Sequence, residues 1–298
     1  MRNLSGTEMK ENYVKVIRDH GKGLLVFCLL LITVLLPASS TSAASAKKAV
    51  WVTKNGQYYY YGQKGNLFKG LHTIGGSKYY FDSKGRQQTG WVKISGSYYY
   101  FKQSAKKGGC MAKNTRVNGI RLNKNGKAVL TSGNKDYAAC LARANQKLLA
   151  ITNQSMTKGQ KLRTCYNWAC ACRFAVTETF RSTGRWDVTK KKWVKDRNVP
   201  YPVNYANMRF VSLKTYNCYA ENCGFAMLAV ALGYKNVYAY GSIGHGWAVI
   251  GGRYYDPQQG KARGDMDRYY NMDTKKLGPA YGIWSYTPVT SKIRLDTV

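Results

Sequence analysis

Hydrophobic and polar positions form two patterns along the chain, and the first is a repeat of twenty residues that begins at residue 51. Trp51, Leu71 and Trp91 open successive units. An aromatic triplet follows in each unit, at residues 59–61, 79–81 and 99–101. Aromatic runs bounded by glycine predict a β-hairpin in each unit. Because one such unit cannot bury its own hydrophobic face, the period predicts a stacked array, and we expect a degraded fourth copy at residues 117–130 to cap it.

The second pattern begins beyond residue 134, where helical periodicity replaces the aromatic doublets. Thr157 and Gln160 form a capping box before an apolar-periodic stretch. An apolar run at residues 219–232 predicts a helix that Gly233 ends. Strands are predicted at residues 236–240, 245–250 and 253–257. The chain therefore predicts an α+β region after the hairpin repeats.

The last two predicted strands form a hairpin around Gly251-Gly252. If the two glycines form a two-residue loop, Trp247 lies opposite Asp256, and His245 becomes the diagonal neighbour of Asp256 on the same face. A three-residue loop would turn the aspartate to the other face. The prediction of a histidine–carboxylate pair therefore depends on this turn.

Cys218 stands immediately before the predicted helix at residues 219–232. A thiol at a helix N-terminus faces unpaired backbone N–H groups and the positive end of the helix dipole, and both favour the thiolate. The backbone N–H of Cys218 is also a natural oxyanion donor. A histidine beside this thiol would protonate a leaving amine, which is the chemistry of nucleophilic cysteine enzymes.

Three segments carry a resemblance to a known family. Residues 217–233, which read N-C-Y-A-E-N-C-G-F-A-M-L-A-V-A-L-G, resemble the nucleophile helix of the transglutaminase-like superfamily. The sequences G-H-G-W-A-V-I and R-Y-Y-D-P that follow look like its histidine strand and its aspartate–proline strand. Residues 161–168 resemble the helix that usually precedes the site. Asn222 is a departure, because the family more often has a small residue there.

The resemblance implies a papain/transglutaminase-like catalytic domain. Carried over to this chain, it makes Cys218 the nucleophile, His245 the general base and acid, and Asp256 the carboxylate that orients the imidazole. The implied reaction is acyl transfer through a thioester on a peptide or protein substrate, by hydrolysis or by amine capture, without a cofactor.

The aromatic repeats resemble the cell-wall-binding, or choline-binding-type, repeats of Gram-positive surface proteins. The resemblance implies a solenoid of hairpins that holds its ligand between aromatic faces. The ligand-binding residues that we predict are Trp51, Tyr59, Tyr60, Tyr79, Tyr80, Trp91, Tyr99 and Tyr100. The choline-binding form carries a tryptophan where this chain has Tyr58, Lys78 and Tyr98. We therefore expect a wall glycan or teichoic acid rather than choline, and we expect the inward half of these aromatic residues to serve packing alone.

The start of the chain has the order of a secretory signal peptide. Five basic residues precede an apolar run at residues 23–36, and Ala44-Ser45-Ala46 offers a cleavage site. The run is short for a membrane span, so no stable span is expected after cleavage. The predicted organisation is a signal peptide at residues 1–46, cell-wall-binding repeats at 47–134 and the catalytic domain at 135–298.

Charge and cysteine content refine this organisation. The formal charge of +33 suits an anionic surface such as a Gram-positive wall, although the same charges could simply solvate the protein. No nucleic-acid-binding module is recognisable, so no nucleic acid partner is expected. Cys28 leaves with the signal peptide, and seven cysteines remain. The spacing of Cys165, Cys170 and Cys172 is not that of a zinc site, so no metal is expected.

Two functions remain open at this point. The first is a secreted, wall-associated cysteine acyl-transfer enzyme that uses Cys218, His245 and Asp256. The second is a non-catalytic wall-binding protein or adhesin that retains these residues as a relic.

Overall fold

The computed structural model describes residues 49–103, 108–174, 185–187, 192–194, 201–210, 215–242, 245–273 and 291–297. The predicted signal peptide at residues 1–46 lies outside the described residues. The structural statements that follow concern the described residues.

Four antiparallel hairpins occupy the repeat region. Their strands are β1 (Val50–Lys54), β2 (Gln57–Tyr61), β3 (Gly70–Ile74), β4 (Ser77–Phe81), β5 (Gln87–Gln88), β6 (Gly90–Ile94), β7 (Ser97–Phe101), β8 (Thr115–Val117) and β9 (Ile120–Leu122), with β5 beside β4. Each hairpin turns through two residues of positive φ, as at Asn55 (51°) and Gly56 (65°) in the first. This is the turn geometry that suits the twist of a two-residue hairpin loop. The predicted array of hairpins, with its fourth copy, is confirmed.

Aromatic side chains join neighbouring hairpins. The ring of Trp51 lies 5.0 Å from that of Tyr60 in its own hairpin and 5.2 Å from that of Tyr79 in the next. Tyr80 of the second hairpin stacks on Phe101 of the third at 6.1 Å. These contacts bury the hydrophobic face that a single hairpin leaves open.

Helices and a small sheet form the rest of the described chain. The helices are α1 (Lys135–Ile151), α2 (Lys158–Cys170), α3 (Tyr201–Phe210), α4 (Cys218–Ala231) and α5 (Pro257–Ala262). Two short pairs of strands are β10 (Arg173–Phe174) with β13 (Thr215–Tyr216) and β11 (Arg185–Asp187) with β12 (Lys192–Val194). The antiparallel sheet consists of β14 (Val237–Ser242), β15 (His245–Ile250), β16 (Arg253–Tyr255) and β17 (Ser291–Arg294), in the spatial order β16-β15-β14-β17.

Helix α4 lies at the centre of this region, and every one of its residues is buried. It packs closely across β15 because Gly246 has no side chain, since a Cβ there would lie 2.6 Å from the ring of Tyr219. This close approach brings the start of α4 to the start of β15, where Cys218 and His245 lie.

The predicted start of α2 is confirmed. The Thr157 side chain accepts from the backbone N–H of Gln160 at 3.2 Å, and the Gln160 side chain accepts from the backbone N–H of Thr157 at 2.8 Å. The two bonds satisfy N–H groups that a helix start leaves without a partner.

The last two hairpins share a hydrophobic core with the helices. Trp91, Ile120 and Leu122 are buried in one cluster with Tyr137 and Leu141 of α1. Residues 46–298 accordingly form one compact unit. The predicted boundary after residue 134 coincides with the start of α1, and the core extends across it.

The structure is a mixed arrangement of helices and antiparallel sheet that carries β-hairpin repeats. The papain/transglutaminase-like assignment of residues 135–298 stays a prediction. Among the described helices, none has both the length and the apolar composition that a membrane crossing needs.

Candidate active site

Cys218 is the first residue of α4. Asn217 is the N-cap, and its side-chain oxygen accepts from the backbone N–H of Ala220 at 3.0 Å. Asparagine is among the preferred N-caps because its short side chain reaches these N–H groups. The thiol therefore lies at the positive end of the helix dipole, and Cys218 is 5 % exposed.

The hairpin that carries the other two predicted residues has the two-residue loop. Ile250 pairs with Arg253 and Ala248 with Tyr255, and Gly251 (φ 57°) and Gly252 (φ 80°) form the turn. Both glycines have positive φ, which L side chains rarely adopt. The structure therefore excludes the three-residue loop that would have turned Asp256 away from His245.

His245 and Asp256 form a buried pair. The Nε2 atom of His245 lies 2.8 Å from Oδ2 of Asp256, and the residues are 7 % and 1 % exposed. The second carboxylate oxygen accepts from the backbone N–H of Gln259 at 3.0 Å and so caps α5. The backbone N–H of Asp256 donates to the carbonyl oxygen of Tyr269 at 2.9 Å. The carboxylate is therefore fixed on both sides.

His245 also shares a side-chain hydrogen bond with Cys218. Because Nε2 is engaged by the carboxylate, Nδ1 is the ring nitrogen available to the thiol. Burial lowers the pKa of His245, but the charge and hydrogen bond of Asp256, together with Cys218, raise it to about 9. The environment therefore favours the protonated imidazole at neutral pH.

Trp247 covers one side of the imidazole. Its ring is nearly parallel to that of His245, at 14°, with the centroids 6.2 Å apart. Both residues lie on β15, two positions apart, so that their side chains lie on the same face of the strand.

Tyr166 of α2 is a contact that the sequence did not identify as functional. Its hydroxyl donates to the backbone carbonyl of Asp256 at 3.1 Å, and the side chain is fully buried. Burial raises the pKa of Tyr166 far above its usual range, which keeps the hydroxyl protonated as a donor. The residue lies within the 161–168 segment, whose resemblance to the preceding helix could have identified it.

Asn222, the position that departs from the resemblance at residues 217–233, contacts the first turn of α4. Its side-chain amide donates to the backbone carbonyl of Cys218 at 2.8 Å, one helical turn away. A small residue at this position could not make this bond to the first turn of α4.

Glu221 was also not identified from the sequence. It is 0 % exposed, and its Oε1 atom accepts from the thiol of Cys172. Burial raises its pKa to about 7, with a further increase from Asp256, while the Cys172 bond and the charges of Arg209 and Lys261 lower it. A second carboxyl group therefore lies close enough to Asp256 to interact with it electrostatically.

The other described cysteines lack these features. Every one of them is a free thiol, and all but Cys110 are buried. Burial raises the pKa of Cys140, Cys165, Cys170 and Cys172 to about 12. Among the residues that the structure describes, no three histidine, cysteine, aspartate or glutamate side chains are placed to hold a metal ion.

The predicted wall-ligand residues divide into two groups. Trp91 is 2 % exposed, and its indole N–H donates to the side chain of Asn118 at 2.9 Å, so it serves the packing role. The remaining residues are half-buried: Trp51, Tyr59, Tyr60, Tyr79, Tyr80, Tyr99 and Tyr100. They keep part of their rings at the surface.

Comparisons with known proteins concern the repeat region. Residues 68–115 match the family model of the choline-binding repeat. Among solved structures, choline binding protein F of Streptococcus pneumoniae is 32 % identical over 28 % of this chain and 27 % of its own, with a TM-score of 0.26. The choline binding domain of Spr1274 from the same organism is 32 % identical over 30 % of this chain and 99 % of its own, with a TM-score of 0.25.

This chain therefore spans about a quarter of the length of choline binding protein F. A search of the curated proteins gives no match. The family match stands on residues 68–115, and repeats of this type indicate association with a cell wall. Residues 68–115 thus match the choline-binding repeat, the cell-wall-binding type of repeat that the aromatic units resemble.

Proposed function

We propose that this protein is a secreted, wall-associated cysteine enzyme that transfers acyl groups from peptide or peptidoglycan substrates. Cys218 is the nucleophile, His245 the general base and acid, and Asp256 the orienting carboxylate. The observation that carries the proposal is that one imidazole contacts both the Asp256 carboxylate, at 2.8 Å, and the Cys218 thiol.

The reaction follows from these contacts. The Cys218 sulfur, its proton held by His245, attacks the acyl carbon, and the negative charge passes to the carbonyl oxygen. The backbone N–H of Cys218 lies in the first turn of α4, at the positive end of the helix dipole, and supports this oxyanion. Collapse breaks the bond to the leaving amine, which takes the proton from His245, and leaves a thioester.

The second half restores the enzyme. Water or an amine attacks the thioester carbonyl carbon, and His245 accepts the proton of the attacking group. The Cys218 thiolate then leaves, and the acyl group is transferred to the water or the amine. Asp256 stabilises the imidazolium in both halves because its charge is fixed beside Nε2.

The acyl-enzyme test uses a thiol-reactive acyl probe on the full chain. Labelling should be lost in Cys218→Ala and reduced in His245→Ala. Cys110→Ala is the matched control, because Cys110 is the one described cysteine that is not buried. Equal labelling of Cys218→Ala and the unaltered protein would contradict the enzyme.

The second candidate is a non-catalytic wall-binding surface protein, which the repeat match at residues 68–115 favours. We propose a wall glycan or teichoic acid as the ligand of the half-buried aromatic residues. The test is binding of the full-length Cys218→Ala variant to cell walls, with free choline or sugars as competitors. The full chain is needed because the third and fourth hairpins share their core with α1.

A further inference from the structure

A cleft of about 520 Å³ lies where the repeats meet the helices. Its walls include Gln57 and Gln103 from the hairpin region, Gln154 after α1, Lys158 and Lys161 of α2, and Leu232 after α4. We call it the junction cleft. It is separate from the spaces between neighbouring hairpins, where repeats of this type hold their ligand.

Two donors in the junction cleft have no acceptor within the described chain. The side-chain nitrogen of Gln154 is buried and makes no hydrogen bond there. The half-buried ammonium of Lys161 likewise has no hydrogen-bond or ion-pair partner among the described residues, and burial lowers its pKa. Because an unpaired buried donor costs free energy, the Gln154 nitrogen indicates a ligand that accepts hydrogen bonds, and the half-buried Lys161 lines the same cleft.

The charge in the cleft has one sign. Among the described residues that line it, two are lysines and none is an aspartate or a glutamate. Lys158 donates one of its three N–H groups to the carbonyl oxygen of Gly233 at 3.0 Å, and its ammonium lies 4.1 Å from the centroid of the Tyr234 ring. The N-terminus of α2 adds the positive end of a helix of 13 residues. The missing acceptor is therefore an anion.

The remaining wall favours a hydroxyl-rich anion. Amide side chains at Gln57, Gln103 and Gln154 and hydroxyls at Thr89 and Thr152 line the cleft. Groups of these types hydrogen-bond to a polyol or a sugar. A volume of about 520 Å³ also exceeds that of a single small anion.

We propose that the junction cleft binds a phosphodiester-linked polyol chain, with a phosphate between Lys158, Lys161 and Gln154. The proposal depends neither on the acyl-transfer reaction nor on the ligand proposed for the aromatic residues of the repeats. The site lies at the end of α4 opposite Cys218, which a helix of 14 residues places about 20 Å away. Binding at this site would hold the protein on the wall polymer, with the Cys218 thiol at the other end of α4.

The experiment measures binding of poly(glycerol phosphate) to the full chain in saturating choline and at low salt. Lys158→Gln/Lys161→Gln should weaken affinity about tenfold or more, because charge-assisted hydrogen bonds are lost. High salt should weaken binding to the unaltered protein, because screening reduces the attraction of charges. Lys113→Gln, which changes an exposed lysine outside the cleft, should leave the affinity within about twofold.

Further variants guard against loss of folding. Gln154→Glu places a negative charge beside the phosphate and should abolish binding, whereas Lys161→Arg keeps the charge and should retain it. Equal weakening in Lys113→Gln would overturn the proposal, because it would show diffuse attraction by the whole surface. Equal affinity for an uncharged polyol would overturn it as well. Tighter binding of single-stranded nucleic acid, weakened in the same variants, would also overturn the proposal.

Discussion

The Nε2 atom of His245 and the Oδ2 atom of Asp256 lie 2.8 Å apart across a hairpin that turns at Gly251-Gly252. The pair couples the imidazole, which contacts Cys218, to a carboxylate that also caps the following helix. A change at either end of this chain of contacts should therefore be visible at the thiol.

Asp256→Asn tests this coupling through pH. The negative charge that raises the pKa of His245 is lost, while the burial that lowers it remains, so the pKa should fall from about 9. The acylation rate should decline on the alkaline side of its pH profile, because the imidazolium is lost as pH rises through this pKa. We call this decline the alkaline limb, and in Asp256→Asn it should move to lower pH. The rate of probe labelling across pH measures the limb, and NMR titration of His245 measures the pKa.

Asp273→Asn is the control for this prediction. Asp273 pairs with Arg253 on the same hairpin at 3.2 Å and is partly exposed. Its removal should leave the alkaline limb in place. An unmoved limb in Asp256→Asn would show that His245 does not control the reaction.

Tyr166→Phe should act on the same site from α2. Loss of its bond to the Asp256 carbonyl costs about 1 kcal/mol, which corresponds to about a fivefold slower acylation. If Tyr166 positions Asp256, the alkaline limb should also move to lower pH. Tyr255→Phe removes a comparable bond, to Asn271 at 3.1 Å, and should leave the limb unchanged. A shift of equal size in both variants would assign Tyr166 a purely structural role.

Glu221→Gln should change how stability depends on pH. The folded-state pKa of about 7 lies above the ordinary value of 4.5, so the folded protein retains a proton that the unfolded chain releases. The bound proton contributes about 3 kcal/mol to the free energy of unfolding. This contribution is fully present below about pH 4.5 and is lost as pH rises through 7. Denaturant unfolding across this range should show a smaller decline in Glu221→Gln. A decline of unchanged size, or the same flattening in the exposed control Asp265→Asn, would contradict the assignment.

Gly90→Ala should loosen the contact between the repeats and α1. Asn145 donates to the backbone carbonyls of Thr89 at 2.6 Å and Trp91 at 3.0 Å, and a Cβ on Gly90 would lie 2.2 Å from its side-chain oxygen. Gly76→Ala is the matched control, because both glycines have positive φ (75° and 77°) but Gly76 has no atom near its Cβ position.

The left-handed backbone should cost each variant about 1 kcal/mol, and the steric overlap should add about 2 kcal/mol in Gly90→Ala alone. Thermal unfolding measures the difference. Since the hairpins and helices share a core, a single transition is expected. Equal losses in the two variants, or a separate transition for the repeats, would show that the repeats fold independently.

Local patterns accounted for much of the candidate site. The glycine pair predicted a hairpin turn, and the structure decided between the two loop lengths that the sequence left open. The loop length fixes which face of the strand the carboxylate follows, because register and side-chain direction are linked at period two. Asn217 and the apolar run after it predicted where α4 begins. These features depend on neighbouring residues and could therefore be read along the chain.

Contacts between distant segments could not be read in this way. Tyr166 meets Asp256 across 90 residues, and Cys172 meets Glu221 across 49. Nothing in the local pattern around Cys172 or Glu221 indicates their contact, and the resemblance of residues 161–168 pointed to the helix of Tyr166 without indicating its partner. The burial that raises the pKa of Glu221 likewise exists only after α4 is enclosed on all sides.

The sequence by itself determined the hairpin repeats and the start of α4, because each is set by periodicity or capping within a few residues. It left two loop lengths open at Gly251-Gly252, and the structure decided that a two-residue turn brings His245 to Asp256. Only the tertiary structure decided that Trp91 packs into a core shared with α1 and that unpaired donors meet in the junction cleft. These features arise from packing between segments far apart in the chain. The free energy gained by burying Trp91, and the cost of burying an unpaired donor, exist only once the complete fold removes these groups from water.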